Sequence, residues 1–290
     1  MSIEVVDPGP LTTIQDLGRV GLAHLGVPRA GAADRGSADL ANRLVGNPAE
    51  AAVLETTMGG VTLRPLRAVT LAVTGATCEV RCGGRAAAHG LPLTVPAGTV
   101  VEVGPASQGV RSYVAFAGGL AVEPVLGSRS TDTLAWVGPP PLAAGQRLPV
   151  GVPASAPAPV DAAPSTQHPR VLTLVRGPRA DWVDDDAWRA LDGSVFSVGA
   201  ASDRVGLRLE GPVVRRATSR ELASEGMVLG AVQLPPSGQP IVFLADHPTT
   251  GGYPVIGLVG RRQLDACAQW RPGEQVTVRV DRSLPPDPRR

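Results

Sequence analysis

The sequence contains no lysine; all 27 of its basic side chains are arginines. That absence excludes a Schiff-base lysine, a Walker-type phosphate-binding lysine and a biotinyl-lysine on this chain. The matching strings are missing as well, with neither GxxxxGK[ST] nor the GxSxG of a serine nucleophile elbow present. The formal net charge is only +1, so nothing marks a nucleic-acid-binding surface. Aromatic residues make up 3%, which leaves Val, Leu, Ile and Ala to build the core. The cysteines are few and odd in number: Cys78, Cys82 and Cys267. No His/Cys set has zinc spacing, so no metal site is expected. The thiols read as buried groups in a reducing cytoplasm. No run of about 18 apolar residues suggests a membrane span, and MSIEVVDPGP lacks the charged start of a signal peptide.

What is present favours strands. Hydrophobic residues reach 43% and charged ones 18%, with 35 glycines and 29 prolines. This is the composition of a packed domain with many turns rather than of a disordered or helical chain. Val-rich segments closed by Gly or Pro predict strands at IEVVD, AVTLAVTG, TCEVRC, TVVEVG and VRSYVAFAG. Further strands are predicted at RVLTLVRG, SVFSVG, VGLRLEG, VLGAVQLP, QPIVFLAD and EQVTVRV. Asp34 predicts the N-cap of a helix through DLANRLVGN, stopped at Gly46-Asn47-Pro48. Short helices are expected in DWVDDDAWRAL and RRQLDACAQ, where Asp184-Asp185-Asp186 reads as a solvated face. Strands with few helices between them point to barrels or sandwiches, not to a doubly wound nucleotide fold. The expectation is a mainly β chain in two barrel-like halves. Residues 1–150 form the first and 170–290 the second, joined by a Pro/Ala-rich linker at 151–169.

Four clusters carry candidate chemistry. In QDLGRVG, Gln15, Asp16 and Arg19 share a tight loop, where Arg19 can fork onto a carboxylate or phosphate. Asp16 can equally pair with Arg19 and pin the loop. In GSRSTD, Ser128, Arg129 and Asp132 can form an anion pocket or a hydroxyl-capped turn. In SDRVG, Asp203 and Arg204 are adjacent, so on a strand only one of them faces a given cleft. The densest cluster is ADHPTTGGYP, which leaves an apolar strand. Asp246 or His247 can serve as a base, Thr249 and Thr250 can donate hydrogen bonds, and Tyr253 can donate to a developing oxyanion beside Gly251 and Gly252. The bland alternative is a tyrosine over a turn with His247 exposed. Glu225, in the upstream SEG, either lines the same pocket or is a surface acid.

These clusters, in this order, carry a family resemblance. DPGPLTTIQDLGRVG, GVPRAGAADRGSADLANRLVGNPAEAAVLE, GSRSTD, SDRVGLRLEGP, SEGMVLGAVQLPPSGQP and ADHPTTGGYP together resemble the allophanate hydrolase subunit 2 family. That family includes the Kip antagonist protein, the C component of bacterial 5-oxoprolinase, and the carboxyltransferase domain of urea carboxylase. The resemblance runs from about Ile3 to about Val280 and implies two cyclophilin-like β-barrel halves. It also implies two partners, an allophanate hydrolase subunit 1 (Kip inhibitor-like) protein and a third subunit of the LamB/YcsF type. The implied reaction opens 5-oxoproline to glutamate with ATP and Mg²⁺, used somewhere in the complex. Two alternatives stay open: a carboxyltransferase acting on urea or a similar small amide, and a regulator that binds a Kip inhibitor-like partner. Biotin would have to arrive on another protein. The Ser-Ser-Lys machinery of an amidase cannot exist in a chain without lysine. One departure is visible: His247 stands where the family usually has arginine, which replaces a fixed charge with a group that titrates near neutral pH.

Overall fold

The computed structural model describes residues 2–157, 159–161 and 169–281. They divide into two compact units. One holds the described residues up to 21 and from 29 to 161, and the other holds 22–28 and 169–281. Part of the expected linker, residues 158 and 162–168, lies outside the described residues. Its opening stretch is bound to the first unit: Gly151 N donates to Gly119 O at 3.0 Å and Ser155 Oγ to Gly46 O at 2.7 Å.

The first unit is one nine-stranded antiparallel sheet. Its strands are β1 (Ser2–Asp7), β2 (Thr12–Gln15), β3 (Val53–Thr57), β4 (Val61–Pro65), β5 (Val69–Cys82), β6 (Arg85–Ala87), β7 (Leu93–Val95), β8 (Val101–Phe116) and β9 (Arg147–Pro149). The order is β2-β3-β8-β4-β1-β9, and β5 pairs with β6, β7 and β8. The sheet curls on its two longest strands, β5 and β8. The sequence pattern predicts two strands for each, and each is one. Along β5 the register against β8 shifts between Gly75 and Val80, so bulges bend the strand instead of ending it. Gly75 sits at φ +86°, and a Cβ there would lie 2.4 Å from Arg111 O; only glycine fits this bend. Helix α1 (Arg35–Leu44) starts as predicted at Asp34, whose carboxylate accepts from Ser37 N at 3.0 Å. Such a cap contributes about 1 kcal/mol. The helix lays Ala38, Ala41 and Leu44 against Val53, Ala72 and Ala115 of the sheet.

The second unit is a closed seven-stranded barrel. Its strands run β10 (Val171–Arg176), β11 (Val195–Val198), β12 (Gly206–Glu210), β14 (Ala231–Gln233), β15 (Ile241–Phe243), β17 (Val255–Val259) and β18 (Gln275–Asp281), in the order β10-β17-β14-β15-β12-β11-β18. A separate two-stranded ladder joins β13 (Glu225–Gly226) to β16 (Thr250–Gly251). β10 and β18 pair in parallel and close the ring. Alternate residues point inward, as a barrel requires: Leu172, Leu174, Leu207, Leu209, Val276 and Val278 are buried in one core. Two helices, α2 (Asp185–Leu191) and α3 (Arg261–Cys267), cover it. Asp184 caps α2 through Ala187 N at 2.8 Å, so the triple acid starts a helix. No helix among the described residues is long and apolar enough to cross a membrane.

Candidate functional site

The candidate residues fall into two constellations, one in each unit. In the first unit the QDLG and GSRSTD loops lock together. Asp16 Oδ1 accepts from Gly18 N (2.8 Å), Ser128 Oγ (2.6 Å) and Ser130 Oγ (2.6 Å), and Oδ2 accepts from Arg129 N (2.6 Å). The carboxylate is thus held by the partner loop rather than by Arg19. Arg19 is 3% exposed; its Nε donates to Val125 O at 3.1 Å and its Nη2 to Ser130 O at 2.6 Å. Arg129 Nε donates to Val122 O at 2.6 Å. Asp132 Oδ1 accepts from Leu134 N and Ala135 N. Gln15 is buried and its Nε2 donates to Thr13 Oγ1 and Thr131 O, both at 3.0 Å. These side chains satisfy backbone groups of an irregular segment that would otherwise be stranded away from water. The geometry is that of a clamp, in which Arg19 donates to backbone carbonyls of residues 125 and 130.

A second polar cluster in this unit carries no motif. Tyr113 Oη donates to Glu55 Oε2 at 2.9 Å and accepts from Asp34 N at 2.8 Å, while Ala33 N also donates to Glu55 Oε2. Arg111 Nε lies 3.5 Å from Glu55 Oε1. Burial, then the nearby Glu55 and Asp34 carboxylates, hold the Tyr113 hydroxyl well above its ordinary pKa. Glu55 sits in VLETT, where it reads as a polar interruption of a strand. Only the curled sheet, covered on both faces, makes it a buried acid.

In the second unit, Arg204 and Asp246 find each other. The guanidinium forks onto the carboxylate, Nε to Oδ2 at 2.8 Å and Nη2 to Oδ1 at 2.9 Å, with both residues buried. Asp203 points elsewhere and accepts from Val205 N and Gly206 N, so the adjacent pair does divide its directions. His247 is buried rather than exposed, stacked on Phe243 with its Nδ1 2.8 Å from Pro248 O. Asp246 thus anchors the start of the loop that ends in Tyr253. The ladder between β13 and β16 fixes its middle, pairing Glu225 with Gly251 and Gly226 with Thr250. Met227 N donates to Thr249 O at 2.9 Å. Glu225 is gripped by one edge of the Arg179 guanidinium, with Nε donating to Oε2 and Nη2 to Oε1. That contact holds its carboxyl below the usual range. Gln233 Nε2 donates to Tyr253 O at 3.1 Å, and a Cβ at Gly251 would come within 2.9 Å of it. Thr250 is exposed and Tyr253 is 45% exposed.

Tyr253 and Gly252 form one wall of a cleft of about 840 Å³ within this unit. The opposite wall is the segment 213–222, which follows none of the motifs and brings Arg215, Arg216 and Arg220. The Arg216 guanidinium lies 5.8 Å from the Tyr253 ring and 5.8 Å from Trp182, and Arg220 lies 5.8 Å from Trp182. The signal that could have found this wall is three arginines within the six residues RRATSR, followed by the SEG segment.

The remaining chemistry is sparse. Cys78 and Cys267 are buried, and burial pushes both thiols up. Among the described residues no three His, Cys, Asp or Glu side chains stand together as a metal site.

The carboxyltransferase domain family, subdomain A and B, matches residues 25–280. The C component of 5-oxoprolinase from Escherichia coli K12 is 35% identical over 277 residues, 94% of this chain and 89% of that protein. The solved structure of TTHA0988 superposes with a TM-score of 0.84 at 39% identity. It covers 97% of this chain, which spans only 55% of the TTHA0988 chain. The urea amidolyase of K. lactis gives a TM-score of 0.88 at 28% identity over 96% of this chain, which spans 18% of that chain.

Proposed function

Because the chain belongs to the carboxyltransferase domain A and B family, we propose that it is a subunit of a 5-oxoprolinase. This is a multi-component enzyme that opens 5-oxoproline to glutamate with ATP and water. The relatives named as 5-oxoprolinase C components in two bacteria support this reading. One observation carries it: the loop anchored by Arg204–Asp246 and held by the β13–β16 ladder leaves Thr250 exposed and sets Tyr253 in the wall of an arginine-lined cleft. A lactam is stable in water, and opening it builds negative charge on the carbonyl oxygen. The Tyr253 hydroxyl, with the hydroxyls of Thr249 and Thr250, can meet that charge, and Gly251 and Gly252 allow close approach. Asp246 acts through the loop as a positioning residue. ATP with its Mg²⁺ enters at the level of the complex. The partners proposed are the Kip inhibitor-like subunit 1 protein and the LamB/YcsF-type subunit.

The test is co-expression of this chain with those two partners and an assay of ATP-dependent glutamate formation from 5-oxoproline. Omitting the chain should abolish activity; activity that survives omission removes the assignment. Tyr253→Phe should lower kcat about 10²- to 10³-fold while the assembly still co-purifies.

The likeness to urea amidolyase favours one second reading, a carboxyltransferase acting on a small amide. The chain has no lysine, so biotin would come from another protein. Co-purification with a biotinylated protein, and inhibition by avidin, would select this reading over the first.

A further inference from the structure

We infer that the cleft between segment 213–222 and Tyr253 is a binding site for a small oxyanion, a carboxylate or phosphate borne by a small molecule, held by Arg216 and Arg220. The first ground is charge. Arg215, Arg216 and Arg220 line the cleft against a single acid, Glu221. Among the described residues no carboxylate lies within ion-pair distance of any of these three. Elsewhere in the same unit arginines do find acids: Arg204 with Asp246, Arg179 with Glu225 and Arg170 with Glu274.

The second ground is immobilisation. Arg216 Nε and Nη2 both donate to Leu234 O, at 3.2 and 2.6 Å, and its guanidinium lies against two aromatic rings. The remaining edge of that planar fork faces no acceptor among the described residues. Burial disfavours its charge, a cost that an anion in the cleft would offset. Arg220 is steadied by Thr218, whose Oγ1 accepts from Arg220 N and Nε, both at 3.3 Å. Both guanidinium carbons lie 5.8 Å from the same Trp182 ring, so they stand no farther apart than twice that distance. A ligand that reaches both forks would be gripped at two points. Tyr253, half exposed, offers it a flat face and a hydroxyl.

The inference deepens the reading above by naming what the cleft beside Tyr253 takes. Its test needs neither partners nor turnover, so the two can fail separately. Calorimetric titration of the whole chain with L-glutamate, 5-oxoproline, inorganic phosphate and neutral 2-pyrrolidinone should show saturable binding of an anion and none of the neutral lactam. Arg216→Gln and Arg220→Gln should each weaken that binding roughly 10-fold or more. Arg220 is exposed, so its variant should fold even where the Arg216 variant does not. Arg176→Gln, which removes a guanidinium stacked on Trp188 outside the cleft, should leave binding unchanged. Binding of the carboxylates alone, or of phosphate alone, supports the site and names its ligand's source. The inference is overturned if no anion binds, if 2-pyrrolidinone binds as well as the anions, or if Arg220→Gln binds like the parent chain.

Discussion

The interlocked QDLGRVG and GSRSTD loops of the first unit and the 213–222 segment of the second both combine arginines with hydroxyl groups, and they use them differently. In the first, Asp16 gathers four donors, and Arg19 and Arg129 donate to backbone carbonyls. Most of the polar groups there hold the chain together, with Gln15 Oε1 buried and without a hydrogen-bond partner among the described residues. In the second, three arginines stand around open space with aromatic rings and hydroxyls for company. Motif density therefore marks a lock as readily as a site. What separates the two is the carboxylate: Asp16 knits the first together, and among the described residues no acid stands within ion-pair distance of the three arginines of the second.

If that division is right, damage to the locks should appear in stability and damage to the cleft in function. The largest expected effect is at Arg204–Asp246. Asp246→Ala removes the carboxylate from a buried guanidinium and should cost about 3–5 kcal/mol in denaturant unfolding. Replacing both residues with apolar ones of similar size should recover much of that loss. A loss of activity with unchanged stability in Asp246→Ala would break the comparison, because it would move the pair from lock to machinery.

Next is Tyr113. Tyr113→Phe deletes the hydrogen bonds to Glu55 and from Asp34 N and should cost about 1–3 kcal/mol. Its folded pKa lies above the ordinary 10.0. Its contribution is therefore complete below pH 10 and is lost as pH rises through the folded value. Unfolding midpoints measured across that range should fall in the parent chain and lack this component in the variant.

The smallest effect belongs to Arg179–Glu225, where both side chains meet solvent and screening limits the pair to at most about 1 kcal/mol. The Glu225 carboxyl is depressed below its ordinary 4.5 by Arg179. The stability gap between the parent and Arg179→Gln should therefore be full above that pH and shrink as pH drops through the lowered value. A gap that widens in acid would contradict the assigned cause.

Legibility in the sequence follows the range of the interaction. Asp34 is readable as a cap because its partner, Ser37, is three residues on. The Val-rich strands are readable from composition and turns. The 69–82 strand reads as two because a bulge at Gly75 looks like an ending when its pairing with 101–116 is unseen. Strand β17 escapes the sequence pattern because Gly257 interrupts VIGLV; in the fold a Cβ there would lie 3.2 Å from Val175 O. At the sites, the residues are legible and their partners are not. Arg204 and Asp246 each stand out as candidates, yet 42 positions of chain separate them, and only the folded barrel makes them a pair. The cleft wall at 215–220 has no motif and acquires meaning only opposite Tyr253.

The parallel seam between Val171–Val175 and Thr277–Asp281 also orders events in time. The opening strand of the second ring has its closing neighbour at the far end of that unit. During synthesis, Leu172 and Leu174 must therefore wait for nearly the whole of it before Val278 and Val280 arrive beside them. The loop so closed is long and its contacts are non-local, which raises the entropic cost of closing the ring. Through that interval the ring stands open on the ribosome, and the nascent chain is at its most exposed to aggregation there.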